Sequence, residues 1–456
     1  MAASKFTVRA PCSSANIGPG FDVIGLALSM YLELKVTVDP SETTSLPLNC
    51  RITYEGEGAP DVPLDPEVNL ITKVALYVLR CHGQRVFPKN THVHVINPIP
   101  LGRGLGSSGS AVVSGVVLAN EAGKLGLSRA RILDYCLMVE RHPDNIAATL
   151  YGGFVGTYLN ELKPADVARL EIPVSEVLSN TGGVDTGLNP PEPPFNIGHF
   201  HKFKWAPEIR CIVVIPDFEV ATAKAREVLP TSYTRPDIVF NLQRVALLPT
   251  ALGESPPDPE FIYLSMQDKI HQPYRKTLIP GLTEILQSLS PKSHPGLLGT
   301  CLSGAGPTIM TLATDNFESI ADHLMMEFKK EGIKCAWKLL DPAQDGTTVH
   351  CRCCRGKVLV RRRARSYTWP LVQRCTQTAF ITQPRERFRV QTKTTHPLYN
   401  PTISYRILLS LIAQQSLPAS HPVLPPAPSS SRRASYPIKL PIQARPPLPI
   451  KLARPT

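Results

Sequence analysis

The sequence contains no uninterrupted apolar run approaching about 18 residues and no charged-then-apolar leader. It therefore predicts no transmembrane segment, and we expect a soluble protein of the cytoplasm. Its eleven cysteines are scattered, and the seven before residue 351 have neither the spacing of a metal site nor that of a disulfide framework. Four of them, Cys12, Cys136, Cys211 and Cys301, stand among apolar or small residues, which is typical of reduced core cysteines.

Acidic residues are nearly absent from the last quarter of the chain. Beyond residue 350 there are 19 Lys and Arg but a single acid, Glu386, whereas the first 350 residues hold 30 basic and 36 acidic side chains. The net charge of +12 is therefore a property of the tail, and the rest of the chain gives no reason to expect a nucleic-acid partner. The tail alone could bind nucleic acid, through phosphate contacts that are non-specific and weakened by salt.

The same segment, residues 351–456, also contains 15 of the 46 prolines. Such a composition cannot bury enough apolar surface to offset the entropy of ordering the chain. We predict that this segment is disordered. The alternative is that it is an artefact of the gene model, such as a retained intron or a shifted reading frame.

Two common nucleotide-binding loops are missing. No Gly-x-x-x-x-Gly-Lys-Ser/Thr occurs, which excludes a P-loop NTPase, and no Gly-x-Gly-x-x-Gly is followed by the acidic ribose partner of a dinucleotide fold. What is present is Pro-Leu-Gly-Arg-Gly-Leu-Gly-Ser-Ser-Gly-Ser at residues 100–110, between an extended segment at 91–97 and a small apolar run at 111–119.

This glycine loop predicts a phosphate-binding site. Its four glycines let the backbone approach an anion closely, and a strand, a glycine loop and a helix start together aim unpaired N–H groups at phosphate. Its serine hydroxyls can bond phosphate oxygens or bind Mg²⁺. The candidate nucleotide-binding residues are Pro100, Gly102, Arg103, Gly104, Leu105, Gly106, Ser107, Ser108, Gly109 and Ser110. A simple glycine-rich turn is the alternative.

Two further motifs accompany the loop: Ala-Pro-Cys-Ser-Ser-Ala-Asn-Ile-Gly-Pro-Gly-Phe-Asp at residues 10–22 and Gly-Thr-Cys-Leu-Ser-Gly-Ala-Gly-Pro-Thr-Ile at 299–309. The three together resemble the motifs of the GHMP small-molecule kinases. Asn16 and Asp22 around Gly-Pro-Gly, and Glu-Arg-His-Pro-Asp-Asn at 140–145, are similar to the homoserine kinase branch, in its fungal form. The resemblance covers about residues 5–348.

Helical spacing at 67–81 and 128–140 alternates with extended patterns at 6–10, 30–38 and 208–215, and with a final strand at 334–340. This alternation favours an α+β fold. The resemblance implies the details: an N-terminal domain at 1–204 like the second domain of ribosomal protein S5, a ferredoxin-like C-terminal domain at 205–350, and an active site in the cleft between them.

The resemblance also implies the activity, which is the ATP-dependent phosphorylation of L-homoserine to O-phospho-L-homoserine for threonine synthesis, by an alcohol phosphotransferase that forms a homodimer. Asn16 and Asp22 would bind the substrate ammonium. Arg226 and Arg275 would bind the carboxylate, because a guanidinium fork suits a bidentate partner. Thr222, one helical turn before Arg226, would orient it.

The remaining site residues also follow from the resemblance. Glu140 and Ser108 would bind Mg²⁺, and His142 would line the homoserine pocket. Ser303, Gly304 and Gly306 would pack beside the substrate and the phosphates. Direct attack by the substrate hydroxyl is the preferred mechanism, with no base required. The candidate catalytic residues are Asn16, Asp22, His142, Asp144, Asn145, Arg226 and Arg275.

Two other functions stay open. One is a GHMP kinase that acts on a different alcohol, although an acid with two arginines suits a zwitterion better than a sugar or an isoprenoid. The other is a GHMP-fold sensor that binds its ligand without turnover, against which the presence of both Glu140 and Ser108 argues.

Overall fold

The computed structural model describes residues 3–41, 44–173 and 183–352. The predicted disordered tail therefore lies outside the described residues, except for its first two. Within these ranges, no helix is both long and apolar enough to span a bilayer. Cys12, Cys136, Cys211 and Cys301 are buried and unpaired, as predicted.

The described residues form strands and helices in an alternating order. They are β1 (Ser4–Asn16), β2 (Gly20–Val38), β3 (Cys50–Gly56), α1 (Leu70–Cys81), β4 (Thr91–Asn97), α2 (Ser107–Ala122), α3 (Arg129–Val139), α4 (Pro143–Tyr151), β5 (Phe154–Leu159), α5 (Pro164–Val167), β6 (Gly198–Lys202), β7 (Arg210–Pro216), α6 (Thr222–Glu227), α7 (Arg235–Gly253), α8 (Pro259–Ser265), α9 (Leu282–Gln287), β8 (Leu297–Leu302), β9 (Ile309–Ala313), α10 (Phe317–Lys330), β10 (Cys335–Leu340) and β11 (Thr348–Arg352). Short 3₁₀ helices occupy Pro47–Asn49 and Gln272–Thr277.

The strands form two sheets. The first has the order β11–β1–β2–β4–β3, with β5 pairing with β2 and β6. The second has the order β10–β7–β9–β8 and is antiparallel throughout. Apolar residues of the first sheet pack on α1 and α2, and those of the second pack on α9 and α10. The mixed arrangement confirms the predicted α+β class.

Local sequence explains the helices that support the cleft. The N-terminus of α1 is capped by Asn69, which accepts a hydrogen bond from the Ile71 N–H, and that of α3 by Ser128, which accepts one from the Arg131 N–H. Most residues of α2 are small or β-branched and most are buried, because this helix packs against both α1 and β1. A Cβ at Gly115 would overlap the Ile71 carbonyl oxygen, so glycine lets α1 and α2 approach closely.

One prediction was partly wrong and one helix start was displaced. The predicted strand at 334–340 is present as β10, but it is not the last described strand, because β11 follows and pairs antiparallel with β1, with Val8 opposite Val349. A five-residue edge strand with only alternate apolar residues gives a weak pattern beside a basic tail. Helix α2 begins at Ser107, inside the predicted loop, so Ser107 to Ser110 form its first turn.

Candidate active site

The three motifs meet in one cleft of about 250 Å³. The lining includes most of the predicted residues, namely Asn16, Asp22, Pro100, Gly102, Arg103, Gly104, Leu105, Gly106, Ser107, Ser108, Glu140, His142, Asp144, Asn145, Thr222, Arg226, Arg275 and Gly304. Another cavity, of about 280 Å³, lies beside α1 and contains none of them. We therefore place the candidate site in the cleft on the chemistry of its lining.

The glycine loop approaches the third motif so closely that side chains would not fit. A Cβ at Gly104 would overlap the Ser303 carbonyl oxygen, and Ser303 Oγ donates a hydrogen bond to the Gly104 carbonyl over 2.7 Å. Gly106 adopts φ 65° immediately before α2, where a Cβ would overlap Ser13 Oγ. The first N–H groups of α2 thus follow a loop with little side-chain cover, which is the arrangement that binds phosphate.

Two residues of the predicted loop lie outside the cleft lining. Ser110 is buried, and its hydroxyl donates to the Pro11 carbonyl oxygen over 2.9 Å. Gly109 packs against Asn145. Ser110 and Gly109 therefore contact the protein interior and not the cleft. Arg103 lies at the rim, with Nη2 3.3 Å from the Asp217 carboxylate.

Glu140 joins two other predicted residues. It follows the last residue of α3 with an extended backbone, so its carboxylate leaves the helix and enters the cleft. Ser108 Oγ donates to Glu140 Oε1 over 3.4 Å, and His142 Nδ1 lies 3.2 Å from the same oxygen. Burial alone would lower the pKa of His142, but the hydrogen bond to Glu140 and the negative charges of Glu140 and Asp144 raise it above its ordinary value.

Asp144 lies in the first turn of α4 and is only 1% exposed. Its Oδ1 accepts a hydrogen bond from the Asn145 N–H over 2.8 Å. Burial, together with the negative charge of Asp22, raises the pKa of the Asp144 carboxyl to about 7. Asn145 Oδ1 accepts a hydrogen bond from Ser13 Oγ over 2.9 Å, which ties α4 to the first motif.

The acid and one of the arginines that were predicted to bind opposite ends of the substrate instead bind each other. Arg226 donates to both carboxylate oxygens of Asp22, over 2.9 and 2.8 Å. Asp22 has φ 55°, and its N–H donates to Asn16 Oδ1 over 3.0 Å, so Asn16 at the end of β1 and Asp22 near the start of β2 line the cleft together. Thr222 lies at the start of α6 and lines the cleft beside Arg226.

Arg275 is buried in the C-terminal wall of the cleft. Its Nη1 donates to the Gly304 carbonyl oxygen over 2.6 Å, and Asn16 Nδ2 donates to the same oxygen over 3.0 Å. Burial and the positive charge of Arg226 lower the pKa of Arg275 to about 10. Gly306 closes the same turn by donating its N–H to the Ser303 carbonyl oxygen.

Sequence reasoning missed two residues at this end of the cleft. Phe21 lies with its ring centroid 5.5 Å from the Arg226 guanidinium and 5.6 Å from that of Arg275. His271 contacts both Arg275 and the first motif. Phe21 precedes the predicted Asp22 and His271 stands four residues before Arg275, so proximity to predicted residues was the available signal.

Comparison with known proteins gives a consistent result. Residues 69–153 match the family model of the GHMP kinases N terminal domain, and residues 260–325 match that of the GHMP kinases C terminal. The homoserine kinase of Saccharomyces cerevisiae is 59% identical over 350 residues, which are 75% of this chain and 98% of the relative. That of Candida albicans is 54% identical over 356 residues, which are 76% and 99%.

A solved structure shows the same fold. The crystal structure of homoserine kinase from Cytophaga hutchinsonii superposes with a TM-score of 0.57 at 24% sequence identity, and the match covers 76% of this chain and 97% of that chain. The matched part therefore has the two-domain GHMP kinase fold that the motifs predicted.

Proposed function

Because the chain belongs to the homoserine kinases of the GHMP kinase family, we propose that its cleft transfers the γ-phosphoryl group of ATP to the hydroxyl of L-homoserine. The product is O-phospho-L-homoserine, a precursor of threonine. The observation that carries the proposal is the meeting of the glycine loop with Asp22, Arg226 and Arg275 in one cleft. A phosphate cradle thus faces a pair of groups suited to an amino acid.

The cleft fits Mg·ATP by the chemistry of its donors. The glycine loop and the first turn of α2 offer backbone N–H groups to phosphate, and Ser108 and Glu140 offer a hydroxyl and a carboxylate, which are hard oxygen ligands. We propose that these two side chains hold Mg²⁺. When bound there, the ion would neutralise charge on the phosphates.

The Asp22–Arg226 ion pair is the proposed binding site for the charged end of homoserine. Both side chains are about one-third exposed, so the pair can open at small cost. Asp22 then accepts the ammonium group, while Arg226 and the nearby Arg275 donate to the carboxylate. The total charge of the site is unchanged by this exchange, because a zwitterion replaces an internal ion pair.

Catalysis in this proposal rests on positioning. The glycine loop fixes the phosphates, and Asp22 with the two arginines fixes the amino acid, so the hydroxyl attacks phosphorus directly. The proton leaves to phosphate or to water. Asn145 is held by Ser13, and His142 is held by Glu140, so both line the cleft in fixed orientations.

An ADP-release assay with the full chain tests the function. Mg·ATP is supplied with L-homoserine, mevalonate or galactose in separate reactions, and turnover on homoserine alone is expected. Turnover on another alcohol would favour a different GHMP kinase. Bound ATP without turnover on any of the three would favour the sensor function.

A paired set of variants tests the substrate side. Arg275→Ala should raise KM for homoserine by tenfold or more, because a charge-assisted bond to the carboxylate is lost. Lys276→Ala is the matched control, since this neighbouring cation is exposed, and should leave KM unchanged. Equal effects of the two variants would contradict the role given to Arg275.

The homodimer that the family suggests and the cytoplasmic location expected from the sequence stay predictions. Size-exclusion chromatography with light scattering would test the first. The proposed nucleic-acid binding by the basic tail concerns residues outside the described ranges.

A further inference from the structure

We propose that His271 is a positioning residue that ties the Gly18–Pro19 turn, which leads into the strand carrying Asp22, to Arg275, and so fixes the spacing between the two charged groups that select a zwitterionic substrate. The proposal rests on the homoserine site proposed above. His271 does not line the cleft, and neither the motifs nor the family comparisons single it out. Its role follows from hydrogen bonds that fix both the orientation of its ring and the position of the ring proton.

The two ring nitrogens of His271 have partners of opposite kind. Nε2 lies 2.7 Å from the Gly18 carbonyl oxygen, which can only accept a hydrogen bond. Nδ1 lies 3.2 Å from Nη1 of Arg275, which can only donate one. Both bonds are made only by the neutral imidazole with its proton on Nε2. The ring thus connects residue 18 to residue 275 as donor on one side and acceptor on the other.

The ring has no freedom to turn away from this arrangement. His271 is 0% exposed, and it stacks on Phe21 with ring centroids 5.3 Å apart and planes 24° apart. Burial lowers the pKa of His271, against the opposing negative charge of Asp268, which agrees with a neutral ring. Burial and the two hydrogen bonds therefore favour the same state of the ring, the neutral imidazole with its proton on Nε2.

The backbone that carries His271 is itself fixed by Asp268. The Asp268 carboxylate accepts hydrogen bonds from the N–H groups of Ile270, His271 and Gln272, over 2.9, 3.0 and 2.7 Å. It also accepts one from Asn241 Nδ2, over 2.9 Å, and that amide donates to the Pro19 carbonyl oxygen as well. Both the backbone and the ring at His271 are thus tied to the Gly18–Pro19 turn.

The bonds of His271 set the distance between the two sides of the cleft. Gly18 and Pro19 belong to the turn that places Asp22, whereas Arg275 belongs to the 3₁₀ segment of the opposite wall. The Nη1 group of Arg275 is held by His271 and by Gly304, and its Nε donates to the Ala225 carbonyl oxygen over 3.3 Å. Without the ring, the guanidinium loses one of its three supports, and the Gly18 carbonyl loses its donor.

Two amide substitutions separate the two bonds. His271→Asn keeps an acceptor near the position of Nδ1 and loses the donor to Gly18, whereas His271→Gln keeps a donor near the position of Nε2 and loses the acceptor for Arg275. We expect His271→Ala and His271→Gln to raise KM for homoserine about ten- to a hundredfold. KM for ATP should stay within about twofold, and His271→Asn should restore most of the homoserine affinity.

His82→Ala is the matched control, because this half-buried histidine bonds the Tyr135 hydroxyl and neither residue lines the cleft. It should lower stability without changing either KM. A merely structural role of His271 would raise both KM values or neither, or would make the Asn and Gln variants equal, and each result would overturn the proposal. If the natural chain does not turn over homoserine at all, the proposed function fails instead. Calorimetric homoserine binding to His271→Gln and His271→Asn would then show the same order of affinities if His271 positions Arg275.

Discussion

Replacing Asp144 with asparagine should stabilise the folded protein, and more so at alkaline than at acidic pH. The carboxyl is 1% exposed, and its pKa is raised from 3.8 to about 7, first by burial and then by the negative charge of Asp22. Asparagine has the shape of the protonated acid and keeps an oxygen to accept the Asn145 N–H. It removes only the charge that the site disfavours.

The size of this stabilisation follows from the pKa of the Asp144 carboxyl in the unfolded chain, 3.8, and in the folded chain, about 7. Below pH 3.8 the carboxyl is protonated in both the folded and the unfolded chain, so ionisation has no effect on stability there. As the pH rises from 3.8 to 7, the unfolded chain releases this proton and the folded chain keeps it, so stability is lost through this window. The loss reaches about 4 kcal/mol above pH 7 and about 2 kcal/mol at pH 5.5.

Urea unfolding of both proteins at pH 5.5 and pH 8.5 measures this difference. The free energy of unfolding of Asp144→Asn should exceed that of the natural chain by about 2 kcal/mol at pH 5.5 and by about 4 kcal/mol at pH 8.5. Asp322→Asn, on the exposed surface of α10, is the control and should show no such dependence. An equal change at both pH values, or destabilisation at pH 8.5, would refute the reasoning.

Three further predictions concern catalysis. Asp144→Asn should keep kcat within about tenfold if the substrate hydroxyl attacks directly. Loss of a general base lowers rates by about 10²–10⁴, so a hundredfold decrease in kcat at pH 8 would contradict direct attack. Gly104→Ala should raise KM for ATP at least tenfold, because the added Cβ would meet the third motif. Gly126→Ala is the control, because Gly126 has a similar positive φ but open space around it, and this change should affect only stability. Equal kinetic effects of the two variants would show that backbone strain alone is responsible. Glu140→Gln should raise the Mg²⁺ concentration needed for half-maximal rate, and an unchanged Mg²⁺ titration would exclude this carboxylate as a ligand.

The sequence identified the motifs better than it identified their contacts. Glycine loops carry a chemical signature, so the sequence could single out residues 100–110, and most of that loop lines the cleft. The Asp22–Arg226 pair joins residues 204 positions apart, and no local pattern encodes such a pairing. The support given by Ser110 was also hidden, because the sequence does not show which serine hydroxyls face the ligand and which face the backbone of β1.

His271 is a second example of a contact that the local sequence does not encode. A histidine between isoleucine and glutamine is unremarkable in a sequence, and its significance comes from partners such as the carbonyl oxygen of Gly18, 253 positions away. Long-range hydrogen bonds to backbone atoms leave no trace in residue type, since every residue except proline offers the same groups. Site residues of this kind become visible only in the folded chain.

The internal ion pair offers a physical reason for substrate preference. Asp22 and Arg226 bind each other in the cleft, so any charged ligand must compete with that pair. A zwitterion supplies both charges and leaves each side chain with an opposite partner. A sugar supplies neither charge, and an isoprenoid acid supplies only the negative one, so Asp22 would lose its partner in a partly buried site. Because an ion pair that is about one-third exposed contributes only about 1 kcal/mol, the competition is weak enough for homoserine to win, whereas a ligand that satisfies one side only leaves the other charge without a partner.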